Sequence, residues 1–521
     1  MAGDLLNSTD YWINFQVTRQ DVEFLHNHLF DNETPLTPRE LVAVLVTERI
    51  RTEKLASQAE RQANSKTYFP RESYQVGDGL VFPALGWKHG TIKTKRAGSN
   101  PGIAGFNVLT VEMDDGSERF FASDLAVHAL NDQPVSVEED EADPEEILQA
   151  FANGLEKKME TALKEDGQLV KIAGRWFPRA LLVDVNVGNL NLAEAVLDMS
   201  GGEPLATSAL VKDVSLPEGV NPKLAEFSLN FALQEDERFD EVGPAGQVLW
   251  CLRRLEPAEV LESPLYLNYS PIEYDRSLLS DQMLKLEEQL DDELSEIEPK
   301  IDGNPNEVII SMIYPHLRAG TLPISARVRS MFPTAYESPR VRFTLVDGKT
   351  KQKIPGWVVR DRGYVYGLRD WYKANELTPG SLVRIRRSNV PGEVVIEARQ
   401  YRAKDWVRTV IVGADGGMVF AMLKQSISVE FNDRMVFAVP SYDTLDQLWK
   451  QDKKQPFEKL VADMIREMSK LTPQGHVHAQ ELYSAVNIVK RVPPGPLFAL
   501  LSSRPEFKHV GDLHFRLSDS E

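Results

Sequence analysis

Apolar positions along the chain follow two rhythms, and the switches between them mark out its parts. An apolar stretch over 22–30 is followed by Leu41, Val42, Leu45, Ile50 and Leu55 at helical spacing, with Glu48, Arg49, Arg51, Glu53 and Lys54 on the opposite face. Thr37-Pro38-Arg39-Glu40 has the form of a capping box with proline at the first helical position. The pattern predicts a helical region over 1–66, as a hairpin that packs on a neighbour or, alternatively, a DNA-reading helix-turn-helix. From 68 to 131 the period shortens. Runs around Leu80, Ile92, Val108 and Phe120 are separated by Gly-rich and Asp-Gly turns, which predicts a small antiparallel barrel over 67–131. Lys93, Lys95 and Arg96 form a basic turn there, balanced by nearby acids.

Helical spacing returns over 191–199, 208–214 and 222–233, followed by the strand 248–252. The C-terminal part repeats this with helices over 457–468, 479–486 and 496–501 and a strand at 514–517. The two copies align: Leu229-Asn230-Phe231-Ala232-Leu233 with Leu497-Phe498-Ala499-Leu500-Leu501, and Phe239-x-x-Val242-Gly243 with Phe507-x-x-Val510-Gly511. A repeat of this kind argues for one module used twice, in a winged-helix layout, over 188–262 and 456–521. Between 273 and 307, Leu278, Leu279, Met283, Leu286, Leu290, Leu294 and Ile297 recur every three or four positions among twelve acids and three bases. That predicts an acidic amphipathic helical connector over 263–312.

Charge sharpens this division. Over the 521 residues, 59 Lys and Arg stand against 78 Asp and Glu, a net charge of −19. An even coat of that charge excludes non-specific nucleic-acid binding, but it is not even. Residues 132–146 hold eight acids and no Lys or Arg, which reads as a solvated linker, so 132–187 is expected to be acidic linker and helix. Residues 320–410 carry eighteen bases against eight acids, leaving +10 there and −29 elsewhere. Arginine outnumbers lysine thirteen to five in this island, and its forked guanidinium suits two acceptors at once. A cationic segment in an anionic chain is the footprint expected of a phosphate-binding face. The first repeated module, with twelve acids and five bases over 188–256, is expected to meet protein rather than phosphate.

Three resemblances add to this. The stretch Val76-Gly77-Asp78, Val81-Phe82, Gly86 and Gly90 resembles Tudor/KOW-like barrels and the N-terminal barrel of CarD-type factors, which implies RNA polymerase as a protein partner for 67–131. The repeated modules resemble HARE-type winged helices and the N-terminal domain of the RNA polymerase delta subunit. Residues 313–410 resemble the plant-type B-three DNA-binding pseudobarrel, shared with effector domains of some restriction endonucleases. The residues that carry this are Thr321-Leu322-Pro323-Ile324-Ser325, Phe332-Pro333, the strand and turn at 341–349, and 364–383 with Trp371 and Leu377 as core and Pro379-Gly380 as a turn before a strand. The sequence departs from the family at Ser381 and in the first arm, Ser325-Ala326-Arg327. By the resemblance, two arms, 325–329 and 360–366, would grip the major groove of double-stranded DNA. The contacts implied are Ser325, Arg327, Arg329, Arg360, Arg362, Tyr366 and Lys373, assisted by Lys490 and Arg491 of the second module.

Catalytic chemistry does not stand out. Walker and G-x-G-x-x-G loops are absent, and Gly413-Ala414-Asp415-Gly416-Gly417 reads as a hairpin turn. The single cysteine, Cys251, excludes a disulfide framework and multi-cysteine zinc sites. The pairs His26/His28 and His476/His478 lack further ligands at zinc-finger spacing, so capping or surface roles are expected. Glu393-Val394-Val395-Ile396-Glu397-Ala398-Arg399 approaches a nuclease motif but has Arg in place of the Lys that orients water. It fits a closing strand of the pseudobarrel.

The expectation is therefore a multidomain α+β protein: a small antiparallel β-barrel, two winged-helix domains and a β pseudobarrel, joined by acidic linkers and helices, with 411–455 as a β extension. It would be a non-enzymatic, cytoplasmic, transcription-associated or nucleoid DNA-binding factor with no cofactor, metal or membrane segment. The alternatives are the DNA-targeting subunit of a restriction or defence system, and an interaction scaffold whose basic island is neutralised internally. The DNA reading requires the guanidinium groups to share an open face.

Overall fold

The structure is a computed structural model. It describes residues 9–63, 66–100, 102–103, 105–131, 143–217, 219–297, 303, 305–413, 417–450 and 455–518. The acidic run is described only from 143 onward. The chain divides into two units, Met1–Leu182 and Val183–Glu521. The molecule is α+β, with several separate sheets.

In the first unit, helices Arg19–Asn32 and Pro38–Ala63 follow the expected hairpin. Thr37 and Glu40 close their capping box reciprocally, with Thr37 N–H donating to Glu40 at 2.7 Å and Glu40 N–H donating to Thr37 Oγ1 at 3.3 Å. A third helix, Pro144–Asp166, starts where Asp143 caps it and proline takes the first turn. Its Ile147, Leu155, Met159 and Leu163 share one core with Leu25, Leu29, Leu41, Leu45 and Trp176. Each such buried side chain contributes about 1.5–3 kcal/mol. The helical domain is therefore assembled from both sides of the strand-rich segment, which the linker reading of 132–187 did not anticipate.

That segment forms a five-stranded sheet in sequence order, from Lys66–Thr67 to Glu118–Ser123. The first pair is parallel and the others are antiparallel. The sheet curls back on itself: Tyr68 donates its hydroxyl to Ala122 O at 2.6 Å, and Leu125 N–H donates to Pro70 O at 2.9 Å. Tyr68, Leu80, Phe82, Leu109 and Val111 fill the inside. The basic turn is paired as its neighbours suggested, Lys93 with Glu112 at 2.5 Å and Lys95 with Asp124 at 3.1 Å.

In the second unit the repeated sequence pattern becomes a repeated layout. Helices Val187–Met199, Thr207–Asp213 and Pro222–Glu235 carry strands Leu205–Ala206, Phe239–Glu241 and Leu249–Leu252. Helices Phe457–Ser469, Ala479–Val489 and Pro494–Ser503 carry Val477–His478, Phe507–Gly511 and His514–Leu517. In both sheets the last strand lies between the other two.

Between the copies lies a seven-stranded half-barrel. Its strand order is Glu307–Ser311, Leu382–Arg387, Glu393–Glu397, Arg340–Asp347, Lys353–Val359, Tyr364–Tyr366 and Thr321–Pro323. Alternation explains its core: Val341, Phe343 and Leu345 are buried, whereas Arg342 and Thr344 between them are half-buried. Trp371 and Leu377 are core, as expected. Gly380 has φ +90°, and a Cβ there would meet the backbone of Val436 at 2.5 Å, so the turn needs glycine. Ser381 Oγ, at the position where the B-three pattern has Asp, accepts the Thr378 N–H at 2.9 Å across that turn.

Two expectations are corrected. The connector is not one long helix: among its described residues only Asp281–Leu290 is α-helical, after short 3-10 turns at Leu265–Leu267 and Arg276–Leu278, and Asp291 leaves the helix in the left-handed region at φ 48°. The reason is electrostatic, because Asp291, Asp292 and Glu293 turn inward to meet buried polar groups of the half-barrel and the second module. The β extension also starts earlier than 411, as a long hairpin of Gln400–Val412 and Met418–Val429.

Candidate nucleic-acid interface

A strand-rich cationic segment can hold polyanions only with cations left uncompensated by the chain itself. At least nine of the eighteen bases in 320–410 are matched to carboxylates. Arg384 meets Glu307 at 2.6 Å, Arg386 meets Glu397 at 2.8 Å, Lys353 meets Glu393 at 2.7 Å, and Arg369 meets Glu259 at 2.8 Å. Arg342 lies 3.3 Å from Glu203, Arg362 lies 3.7 Å from Asp361, and Arg399 lies 3.8 Å from Glu430. Arg340 pairs with Asp240, and Arg408 with Glu481. Both carboxylates of the nuclease-like segment, Glu393 and Glu397, are thus engaged by cations of neighbouring strands.

The first repeated module accounts for part of this. Its strand end adds to the half-barrel, with Arg342 N–H donating to Val242 O at 2.8 Å and Ala245 N–H to Thr334 O at 2.6 Å. Val242, Cys251 and Val260 bury themselves against Trp357, Val359 and Tyr364. The acidic surface of this module therefore meets the chain's own basic strands.

Most side chains of the two expected arms are engaged by the chain itself, although Arg329 and Arg360 are exposed. Ser325 is 1% exposed, and its hydroxyl donates to Asp291 at 2.5 Å. Arg327 donates to Glu288 O at 2.7 Å. Arg360 donates to Ser338 O at 2.7 Å, and Arg362 to Leu261 O at 2.8 Å. Tyr366 is half-buried and hydrogen-bonds Glu259; burial and that carboxylate push its phenol upward. Arg329 is exposed at the start of a short 3-10 turn, Arg329–Met331.

Arg491 overturns its expected role. Its side chain is fully enclosed, 2.6 Å from Asp292 and 2.7 Å from Glu293, so phosphate cannot reach it. Burial works against its charge, but the two carboxylates more than offset that and hold it protonated. Ser325 is likewise corrected: its hydroxyl is committed inside the protein. Lys490, half-buried, lines a cavity of about 1280 Å³ with Lys450, Lys459 and Arg466 and the acids Asp463 and Glu467. The histidines of the second module lie together, with ring centroids of His476 and His478 at 4.5 and 4.9 Å from His514. His478 caps its helix, Nδ1 accepting the Gln480 N–H at 3.1 Å, and burial with Arg434 beside it lowers its pKa to about 3. Among the described residues, no group of three or more His, Cys, Asp or Glu side chains is placed to hold a metal ion. Nor is any described helix long and apolar enough to cross a membrane.

Several cations are left open in the second unit. Lys349, Lys373, Arg402, Lys404 and Lys424 are exposed and make no ion pair among the described residues. Lys349 and Arg402 line a groove of about 860 Å³, together with Thr350, Gln352, Tyr366, Trp371 and Asn375. Its acids are Asp347, Asp370 and Glu376. Burial opposes the charge of Asp347, but the N–H groups of Lys349 and Thr350 and the Trp371 indole at 2.9 Å hold its carboxyl below the ordinary range. Glu376 accepts the hydroxyl of Ser428.

The groove continues onto the hairpin. Lys404 and Trp406 lie two apart on one strand, hence on one face. Lys424 stands directly across from Trp406, and Ser426 across from Lys404. Arg402 occupies the bulge between Gln400 and Ala403, at the groove end of this face. Trp406 is 63% exposed. Of the residues expected from sequence, Lys373 belongs to this open set, Arg360 is exposed with a carbonyl and no carboxylate as partner, and Tyr366 lies on the groove wall. The signal that would have found the rest is present: Arg402, Lys404 and Trp406 alternate at strand period before a recognised hairpin turn, which fixes their partners across the ribbon. No protein-family model, curated protein or solved structure matches the chain.

Proposed function

We propose that the chain is a non-enzymatic nucleic-acid-binding protein that holds the phosphate backbone along the groove and hairpin of its second unit. The observation that carries this is the segregation of its charge. The island's cations are divided into those matched to the chain's own carboxylates and a set without ion pairs, and of the latter Lys349 and Arg402 line one groove while Lys404, with Lys424 from beyond the island, continues it along the ribbon. In this reading the two repeated modules are winged helices and the half-barrel is the B-three-like pseudobarrel. The first module serves the half-barrel, and the curled sheet of the first unit faces a protein partner. The contact face differs from the one the family resemblance implies, since Ser325, Arg327 and Arg362 of the arms are occupied.

Fluorescence anisotropy of the full chain with labelled duplex and single-stranded oligonucleotides, titrated with salt, tests it. The combined variant Lys349→Ala, Arg402→Ala, Lys404→Ala, Lys424→Ala should lose affinity and most of its salt dependence, because each phosphate contact releases counterions. The control Arg96→Ala with Arg119→Ala in the first unit should leave both unchanged. A combined variant that binds like the unaltered chain refutes the placement. Absence of binding by the unaltered chain at low salt leaves the other reading, an interaction scaffold with a neutralised island, which the nine ion pairs favour.

A further inference from the structure

Resting on that reading, we propose that the hairpin face is a stacking platform for unpaired bases, so that the preferred ligand is single-stranded nucleic acid. The paired face of the ribbon carries Lys404, Trp406 and Arg408 on one strand and Met422, Lys424, Ser426 and Ser428 on the other. The ribbon itself supplies no carboxylate to this face, Asp405 and Gln425 opposing each other on the reverse side, while Glu481 and Glu376 of other elements reach only its ends, at Arg408 and Ser428. Arg408 is engaged by Glu481, which leaves Lys404 and Lys424 flanking the Trp406 ring, with Arg402 farther along.

The Trp406 indole is mostly exposed and makes no ring or cation contact among the described residues. Its neighbours explain what it is suited to meet. An exposed aromatic ring between lysines offers a flat apolar surface and a phosphate clamp within the ~7 Å that two residues of strand span. Every base has a π face, so stacking with backbone neutralisation binds unpaired nucleotides with little sequence preference. In a duplex those faces are already stacked on neighbouring pairs. In the arms that would have entered a major groove, Ser325, Arg327 and Arg362 are held by Asp291, Glu288 and Leu261, which weakens the case for paired DNA. A protein partner with an acidic surface is the competing occupant, and it needs the lysines but not the ring as a base platform.

The test uses the full chain and three labelled probes: a 20-nucleotide oligothymidylate, a 20-nucleotide abasic phosphodiester of equal charge, and a 20-base-pair duplex. The unaltered chain should bind oligothymidylate most tightly. Trp406→Ala should weaken that binding roughly 5- to 150-fold and leave the abasic and duplex probes unchanged. Lys404→Ala with Lys424→Ala should weaken all three. Trp406 is exposed, so its removal leaves the thermal midpoint in place, and that midpoint is measured alongside. Equal binding of oligothymidylate by Trp406→Ala and unaltered protein, with loss in the lysine variant, overturns the stacking platform and keeps the polyanion face. Equal affinity for duplex and single strand overturns the preference. Failure of every probe to bind at low salt overturns the polyanion face as well.

Discussion

Arg491 offers the sharpest separation between a structural cation and a phosphate contact. In the structure its guanidinium holds Asp292 at 2.6 and 2.9 Å and Glu293 at 2.7 Å, with side-chain exposures of 0%, 0% and 8%. The same carboxylates are shared onward: Tyr483 donates its hydroxyl to Asp292 at 2.5 Å, and His316 lies 3.0 Å from Glu293. Replacing Arg491 by Ala leaves both acids buried without their cation, which costs roughly 3–5 kcal/mol. That corresponds to a fall of several degrees or more in the thermal midpoint of the second unit. Because the two units need not unfold together, the assay is calorimetry, with the shifted transition assigned by hydrogen exchange over 479–503. Lys490→Ala, one position away and half-buried, should move the midpoint far less. Replacing Arg491 and Asp292 together by Met and Leu should recover part of the loss, since a removed pair costs less than a broken one. If Arg491→Ala keeps its midpoint and instead loses affinity for DNA, the guanidinium reaches phosphate and this account of the network is wrong.

Other outcomes follow from single positions. Gly380→Ala forces a Cβ against the Val436 backbone at positive φ, and should cost more than about 1 kcal/mol by chemical denaturation, whereas Gly392→Ala, with φ +77° but open space around it, should cost less. Trp371→Phe removes the indole N–H that Asp347 accepts at 2.9 Å, for a loss of roughly 1–3 kcal/mol. Burial pushes the Glu241 carboxyl up to about 7, against the opposing N–H groups of Gly243 and Leu249 and with the help of Glu337. Its folded value is above its ordinary one, so its contribution is full below about pH 4.5 and is lost as pH rises through about 7. Glu241→Gln should flatten that loss in a pH series of midpoints.

Much of the fold was legible because it rests on local rules. The capping box at Thr37, the turn at Pro379-Gly380 and the buried Trp371 follow from spacing and backbone chemistry alone. The repeat was legible because both copies keep the same apolar step into their last strands. The site was less legible because it depends on which charges find partners, and pairing is a tertiary event. Arg340 meets Asp240 a hundred residues away, and Arg491 meets Asp292 across 199. No local pattern reports such matches, so a count of eighteen cations overstated the open charge. The connector failed for the same reason. Its apolar spacing predicts a long helix, but three consecutive acids at 291–293 leave it to reach buried hydroxyl, imidazole and guanidinium groups.

The division between matched and open cations has a measurable consequence that tests the static picture itself. Each phosphate neutralised on a single strand contributes about 0.7 to the slope of log affinity against log salt, and on a duplex about 0.9. Cations that stay matched to carboxylates during binding contribute little, because they neutralise no phosphate and so release none of its counterions. Five cations, Lys349, Lys373, Arg402, Lys404 and Lys424, each neutralising one phosphate, set a slope of roughly 3.5 to 4.5. The whole island acting together would give one well above about 10. The distant net charge of −19 does not alter this much, since at physiological ionic strength charges beyond about 8 Å are largely screened. A slope near 4 that collapses when the open cations are removed means the arms stay closed on the chain's own acids during binding. A slope near 10 means that nucleic acid displaces Asp291, Glu259 and their neighbours, and the arms, not the ribbon, are then the principal contact.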